Sequence, residues 1–192
     1  MKKACVLLVI SILILSSAAL GFDGNRKGFV LGGGLGFSPA SNWKTELVPD
    51  LELEFEETKA GIGVNLLLGY AFDEYNMLVV EGNVAGYETG FDDLTATQGF
   101  GGVAWYHYFG AKGATFFTTV GMGSYNFELK LKKDNIEVSG SNDPGFGMLF
   151  GVGYEFSRHF QAGAYFSFGK TEAGPVEFDH AHINLLVSVV AY

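Results

Sequence analysis

Set aside a short N-terminal leader and this sequence has no cysteine: the single one, Cys5, stands ahead of the leader's apolar core. A disulfide framework, a thiol nucleophile and a thiolate metal site are thereby excluded. A lipoprotein cysteine would follow the apolar core, so no lipid anchor is implied. Basic residues are scarce as well. The net charge is −9, and it becomes −11 once Lys2 and Lys3 leave with the leader (−9 − 2). Nucleic acid is excluded as a partner, because phosphate binding draws on clustered Lys and Arg. Past Gly21 no apolar stretch is long enough to span a bilayer as a helix, and no helix of any length is indicated. A nucleotide loop is missing too. GGGLGF at 32–37 follows the basic pair Arg26 and Lys27, yet here, as at every other G-x-G of the chain, the third glycine of G-x-G-x-x-G is absent.

What is present begins with two lysines, an apolar run over 4–14 and then small residues. This is the layout of a bacterial secretory signal, with an apolar run too short for a membrane span. Residues 1–21 are expected to be removed, by cleavage after Ala19 or after Gly21. Residues 22–192, about 170, then fit one domain.

Alternation of period two marks eight strands. Over 29–37, Phe29, Leu31, Leu35 and Phe37 oppose Gly28, Val30, Gly32, Gly34 and Gly36. Over 60–72, Ile62, Val64, Leu66, Leu68, Tyr70 and Phe72 oppose Gly61, Gly63, Asn65, Leu67, Gly69 and Ala71. The pattern repeats over 77–87, 145–156 and 160–169, is noisier over 99–109 and 115–127, and resumes from about 181 to the end.

A soluble sandwich would share these totals, but it would put water-seeking groups opposite its apolar face. Here that second face is mostly glycine, alanine, serine and amide. The pattern is inverted, with bulk outside and small neutral groups inside. Hydrocarbon as the outer solvent accounts for it, with a narrow lumen that admits only small side chains. The connections agree: 73–76, 110–114 and 157–159 are tight and the other four long, and most of the 21 acids fall in the long ones. The exceptions are Asp23, Asp73, Glu74, Glu81 and Glu155. The expected fold is all-β, an eight-stranded antiparallel up-and-down transmembrane β-barrel with both termini on the short-turn side.

Leader, eight strands, glycine-alternating segments such as GFGMLFGVGYEF and the terminal HINLLVSVVAY together resemble the small outer-membrane β-barrel superfamily of OmpA/OmpX type. The likeness covers essentially the whole chain after the leader. It implies the outer membrane of a Gram-negative bacterium, with outer-membrane lipid and lipopolysaccharide as surroundings. It also implies a terminal aromatic residue, here Tyr192, read by the barrel-assembly machinery. In the family alternate residues before that aromatic are apolar, whereas here Val190, Ser188, Leu186 and Asn184 share its parity and the opposite parity, Val189, Val187, Leu185 and Ile183, is greasier. Either a bulge resets the register or the odd positions face lipid. The peptidoglycan-binding domain of larger OmpA proteins is not expected.

Candidate sites are few. LELEFEE at 51–57 alternates Glu52, Glu54 and Glu56 with apolar residues, which suggests a stiff extension of the second strand; with Asp50 and Glu57 these acids are oxygen ligands suited to Ca²⁺ or Mg²⁺ bridging to lipopolysaccharide phosphates, or face an extracellular partner. His180 and His182 share a face as metal ligands do, the alternative being a hydrated loop edge. Outer-membrane lipid A deacylases place a His and a Ser together near the last strand, but His182 and Ser188 are six residues apart. Glu81, Asn83, Glu155, Gln161 and Tyr165 are expected to form a polar plug inside the barrel, joined by His107. Tyr70, Tyr106, Tyr108 and Tyr154 are expected in an interface girdle. No catalysis and no cofactor are expected. The leading role is structural or surface-interacting through acidic loops; the runner-up is a narrow channel for small solutes, and the third a lipid-modifying enzyme.

Overall fold

Period-two alternation satisfies backbone groups only if each strand finds two neighbours, and in hydrocarbon no strand edge can be left open. The computed structural model meets both demands. It describes residues 26–48, 53–90, 93–133, 136–174 and 176–192; the leader lies outside them. Strands run in order β1 (Gly28–Val48), β2 (Leu53–Ala71), β3 (Asn76–Glu88), β4 (Leu94–Tyr108), β5 (Thr115–Lys133), β6 (Ile136–Ser141), β7 (Asp143–Ser157), β8 (Phe160–Ala173) and β9 (Val176–Ala191). Each of the eight long strands pairs antiparallel with its neighbours, and β1 pairs with β9 to close the barrel. β6 is a ninth, short segment that folds back on the far end of β5.

The ladder is sheared. From Phe37 one path of paired residues runs Ile62, Gly86, Thr97, Glu128, and the other runs Leu185, Ala164, Val152, Thr118. The two paths reach β5 ten residues apart (128 − 118). For eight strands that shear tilts them by about 40° to the barrel axis.

On the outer wall Ile62, Leu66, Val80, Met122, Phe146, Val152 and Val187 are each more than half exposed. An apolar perimeter on that scale belongs against hydrocarbon. The centre, however, is not bare. Tyr106, Tyr108, Tyr125, Tyr165, Phe100 and Phe117 are all fully buried, and the inward glycines are their seats. A Cβ on Gly151 would stand 2.8 Å from the Tyr165 ring, and one on Gly169 would stand 2.5 Å from Tyr125. The expectation of small side chains throughout the lumen thus gives way to a division of labour: bare positions receive the rings of nearby staves, as Gly151 of β7 receives Tyr165, its direct partner on β8. Gly151→Ala is expected to cost about 1–3 kcal/mol through overpacking. Gly82→Ala, outward with nothing within 4 Å of the added atom, is expected to cost almost nothing; urea midpoints in lipid vesicles distinguish the two.

The connections also differ from expectation. Turns at one end are short, as read. At the other end most of each long connection is strand: β1 and β2 stay paired out to Val48 and Leu53, with irregularities between Ser38 and Ser41 and between Glu46 and Val48. Among the described residues, acids such as Glu54, Glu56, Glu128, Glu177 and Asp179 therefore sit on β-hairpin extensions, where backbone pairing continues although the apolar perimeter has ended.

Strand parity settles β9. Ile183, Leu185, Val187 and Val189 face out, whereas Asn184, Leu186, Ser188, Val190 and Tyr192 are buried. The odd positions are the outer ones, and Tyr192 points inward.

Candidate functional site

Inward side chains build a polar column made of two hydrogen-bonded groups, one around Glu155 and one around Glu81. At the short-turn end Arg26, two residues ahead of β1, keeps the inward parity of Gly28 and Val30 and is 3% exposed. Its guanidinium donates to both oxygens of Glu155, at 3.0 and 3.2 Å. It also donates to the carbonyls of Glu74, Gly110 and Gly113, so that one side chain ties the β2–β3 turn, the β4–β5 turn and β7 together. The Tyr108 ring lies 4.3 Å beneath it, within cation–π range. The Tyr192 hydroxyl donates to the same Glu155 carboxylate at 2.6 Å. Burial opposes the charge of Arg26, but the hydrogen bond and charge of Glu155 outweigh it and hold its pKa above the ordinary value.

Further in, the Tyr108 hydroxyl donates to Gln161 at 3.0 Å. Glu81, 1% exposed, accepts from Tyr106 at 2.6 Å and more loosely from Asn65 and Asn83. Among the described residues no cation bonds it. Asn83 Oδ1 accepts from Asn184 at 2.8 Å and lies 3.3 Å from His182 Nε2. His182 Nδ1 lies 2.6 Å from the Tyr125 hydroxyl, and His180 Nε2 lies 2.7 Å from Thr171 Oγ1. His180 stacks on Tyr125 and against Phe127, which with Trp43 and Phe178 closes the hairpin end.

Glu81, Asn83, Glu155, Gln161 and Tyr165 are therefore all in the lumen, but in two separate groups centred on Glu81 and on Glu155. His180 and His182 face inward beside them, not at a hydrated loop edge, because their even positions carry the inner parity of β9. Among the described residues no group of three or more His, Cys, Asp or Glu is arranged to hold a metal. Glu54 and Glu56 lie in β2 opposite Glu46 and Lys44, and Glu52 falls outside the described residues. Tyr70 and Tyr154 face out. Tyr106 and Tyr108 do not: they are buried in the column, since the even positions of β4 point inward. By the same parity His107 is on the outer face, between Trp105 and Phe109 and bonded to Asn76. His182 and Ser188 do not meet; Ser188 donates to Asn65 instead.

Sequence reading missed Arg26, Asn65, Tyr125 and Asn184. For Arg26 the signal was available, as extending the parity of Gly28 and Val30 one step back turns it inward. In the β2–β3 turn Asp73 accepts from the Asn76 side chain and from the Tyr75 and Asn76 amides, which lowers its pKa. That contribution is present above the ordinary carboxylate range and is lost as acidification protonates Asp73.

The sequence profile of the outer membrane protein β-barrel domain matches residues 5–188. Among solved structures the chain is similar to Neisserial surface protein A, at 15% identity over 85% of this chain and 96% of that one, with a TM-score of 0.52. It is similar also to Ail, the attachment invasion locus protein of Yersinia pestis, at 14% identity over 84% of this chain and 99% of that one, with a TM-score of 0.51. No curated relative matches by sequence.

Proposed function

For a chain that belongs to the outer membrane protein β-barrel domain family, we propose a closed outer-membrane scaffold whose acidic hairpins meet a partner at the cell surface, with the short turns in the periplasm. The observation that carries this reading is the filled lumen beneath projecting strands. Arg26 seals one end, Trp43, Phe127 and Phe178 close the other, and four tyrosines occupy the space between. Such a barrel transmits nothing and holds its extensions rigidly. One relative of the same fold, Ail, is named as an attachment invasion locus protein, which suits a surface-contact role.

Surface contact then belongs to the hairpins. Asp50, Glu52, Glu54, Glu56 and Glu57 are proposed to engage divalent cations that bridge to lipopolysaccharide phosphates, or an extracellular protein. Calorimetry with Ca²⁺ on refolded protein should give heat that a Glu52, Glu54, Glu56→Gln variant lacks; equal heats would remove the cation reading.

Planar-bilayer recording separates scaffold from channel. The expected result is a silent membrane. Steady openings abolished by Glu81→Gln would establish the channel instead, and altered lipid A masses in overexpressing cells would establish an enzyme. Tyr192 is proposed to be read by the assembly machinery before it turns inward to Glu155, so that recognition precedes closure.

A further inference from the structure

Among the described residues two carboxylates are buried in the lumen, Glu81 and Glu155. Glu155 has a cationic partner in Arg26; Glu81 has none. The chain has no other cation to offer it. Of the twelve lysines and arginines, Lys2 and Lys3 belong to the leader, Arg26 is engaged by Glu155, Lys27, Lys112 and Arg158 lie at the short-turn end, and the remaining six lie on the hairpin extensions. One of those six, Lys59, shares the inward parity of Gly61. It stands eight residues from Leu67, the strand partner of Glu81 (67 − 59), roughly 25 Å along β2, and pairs with Glu57.

The surroundings of Glu81 are those of an ionised carboxylate. The Tyr106 hydroxyl stands 2.6 Å from Oε2, the separation of a hydroxyl that donates to a charged oxygen. Asn65 and Asn83 turn amide N–H groups to Oε1 at 3.3 and 3.4 Å, beyond the usual range. A buried carboxylate held only in this way is costly unless a positive charge joins it. Further oxygens lie beside it. The Tyr165 hydroxyl is fully buried and has no partner at hydrogen-bonding distance, yet it neighbours Tyr106, Gln161 and Ser188 and lies within the field of Glu81. Asn65 makes only long bonds at both ends of its amide, to Glu81 and from Ser188 at 3.4 Å. A half-turn of that amide therefore loses little and presents Oδ1 toward the carboxylate.

We propose that the lumen binds one monovalent alkali cation, held by the Glu81 carboxylate, the Asn65 amide oxygen and the hydroxyls of Tyr165 and Ser188, with Tyr106 positioning the carboxylate. All four ligands are hard oxygens, the set that alkali and alkaline-earth ions prefer. The charge selects between those two groups: a single carboxylate among neutral oxygens matches one positive charge, whereas a divalent ion would leave the buried site cationic. Asn65 and Glu81 come from β2 and β3, Ser188 and Tyr165 from β9 and β8. The site therefore exists only in the closed barrel, and the ion ties the two halves of the wall across the lumen. Binding to the folded state alone stabilises it.

The test is urea unfolding of the mature chain in zwitterionic lipid vesicles at fixed ionic strength, with sodium or potassium chloride exchanged for choline chloride, whose cation is too large for the site. With at least one of the two alkali ions, the parent's unfolding equilibrium constant should fall about tenfold for each tenfold rise in concentration above the Kd. Glu81→Gln should lose this dependence while it keeps the acidic hairpins, and so controls for their general attraction of cations. Tyr165→Phe keeps the ring but removes one ligand, which should move the dependence to about tenfold higher concentration, the effect of one contact to a charged group. Equal parent midpoints in alkali and choline chloride would overturn the proposal and assign a proton to Glu81. An unchanged alkali dependence in Glu81→Gln would overturn it as well, and place the ion on the hairpins. Gel mobility before and after heating shows that each variant is folded; if Glu81→Gln does not shift, Tyr165→Phe with Ser188→Ala takes its place.

Discussion

Arg26→Ala is expected to destabilise the barrel by about 3–5 kcal/mol, the usual consequence of leaving one member of a buried ion pair alone. Both side chains of the Arg26 and Glu155 pair are at most 5% exposed. Without the guanidinium, the Glu155 carboxylate keeps, among the described residues, the Tyr192 hydroxyl as donor, and the carbonyls of Glu74, Gly110 and Gly113 lose the Arg26 donor. The comparison that isolates the charge is Glu155→Gln in the Arg26→Ala background. Removing the stranded carboxylate should recover a substantial part of the loss, whereas Glu155→Gln alone should destabilise. Urea titration in lipid vesicles, followed by tryptophan fluorescence and by gel shift, measures all three. An Arg26→Ala midpoint indistinguishable from the parent would show that the short-turn mouth is held by something other than this pair.

Leu66→Arg is expected to cost about 2–4 kcal/mol, the price of a cation on a lipid-facing wall near the bilayer midplane. Leu66 is 61% exposed and stands midway along the outward series from Ile62 to Tyr70 on β2. Were water its neighbour, the same substitution would fall within about 0.5 kcal/mol of zero, as surface changes do. Thr58→Arg provides the internal control. Thr58 shares the outward face of β2 but is exposed on the hairpin extension beside Asn42, so its replacement should be nearly neutral. A neutral Leu66→Arg in vesicles would contradict the placement of this wall against hydrocarbon.

Much of the lumen was legible because strand parity is a local property. Glu81, Asn83, Glu155, Gln161 and Tyr165 could be turned inward from their neighbours on the same strand. Where the alternation was noisy the reading failed, and it failed as a unit. In β4, Gly99, Gly101 and Gly102 do not indicate which face is apolar, so Tyr106 and Tyr108 were turned out and His107 in, each the reverse of what is found. The histidines of β9 show a different limit. His180 and His182 do share a face, as their spacing requires, but their partners Thr171, Tyr125 and Asn83 come from three other strands. No spacing within one strand contains that information.

What the amino-acid order determined by itself was the solvent, the strand count of the wall and the short turns, because alternation, charge placement and turn length are each written over a few consecutive residues. What only the tertiary structure decided was who meets whom across the lumen. Closure with a shear of ten residues sets which glycine lies beneath which ring. It brings Arg26, from one end of the barrel chain, onto Glu155 and Tyr192 near the other. Those pairings depend on the tilt and diameter of a closed sheet, which no single strand possesses.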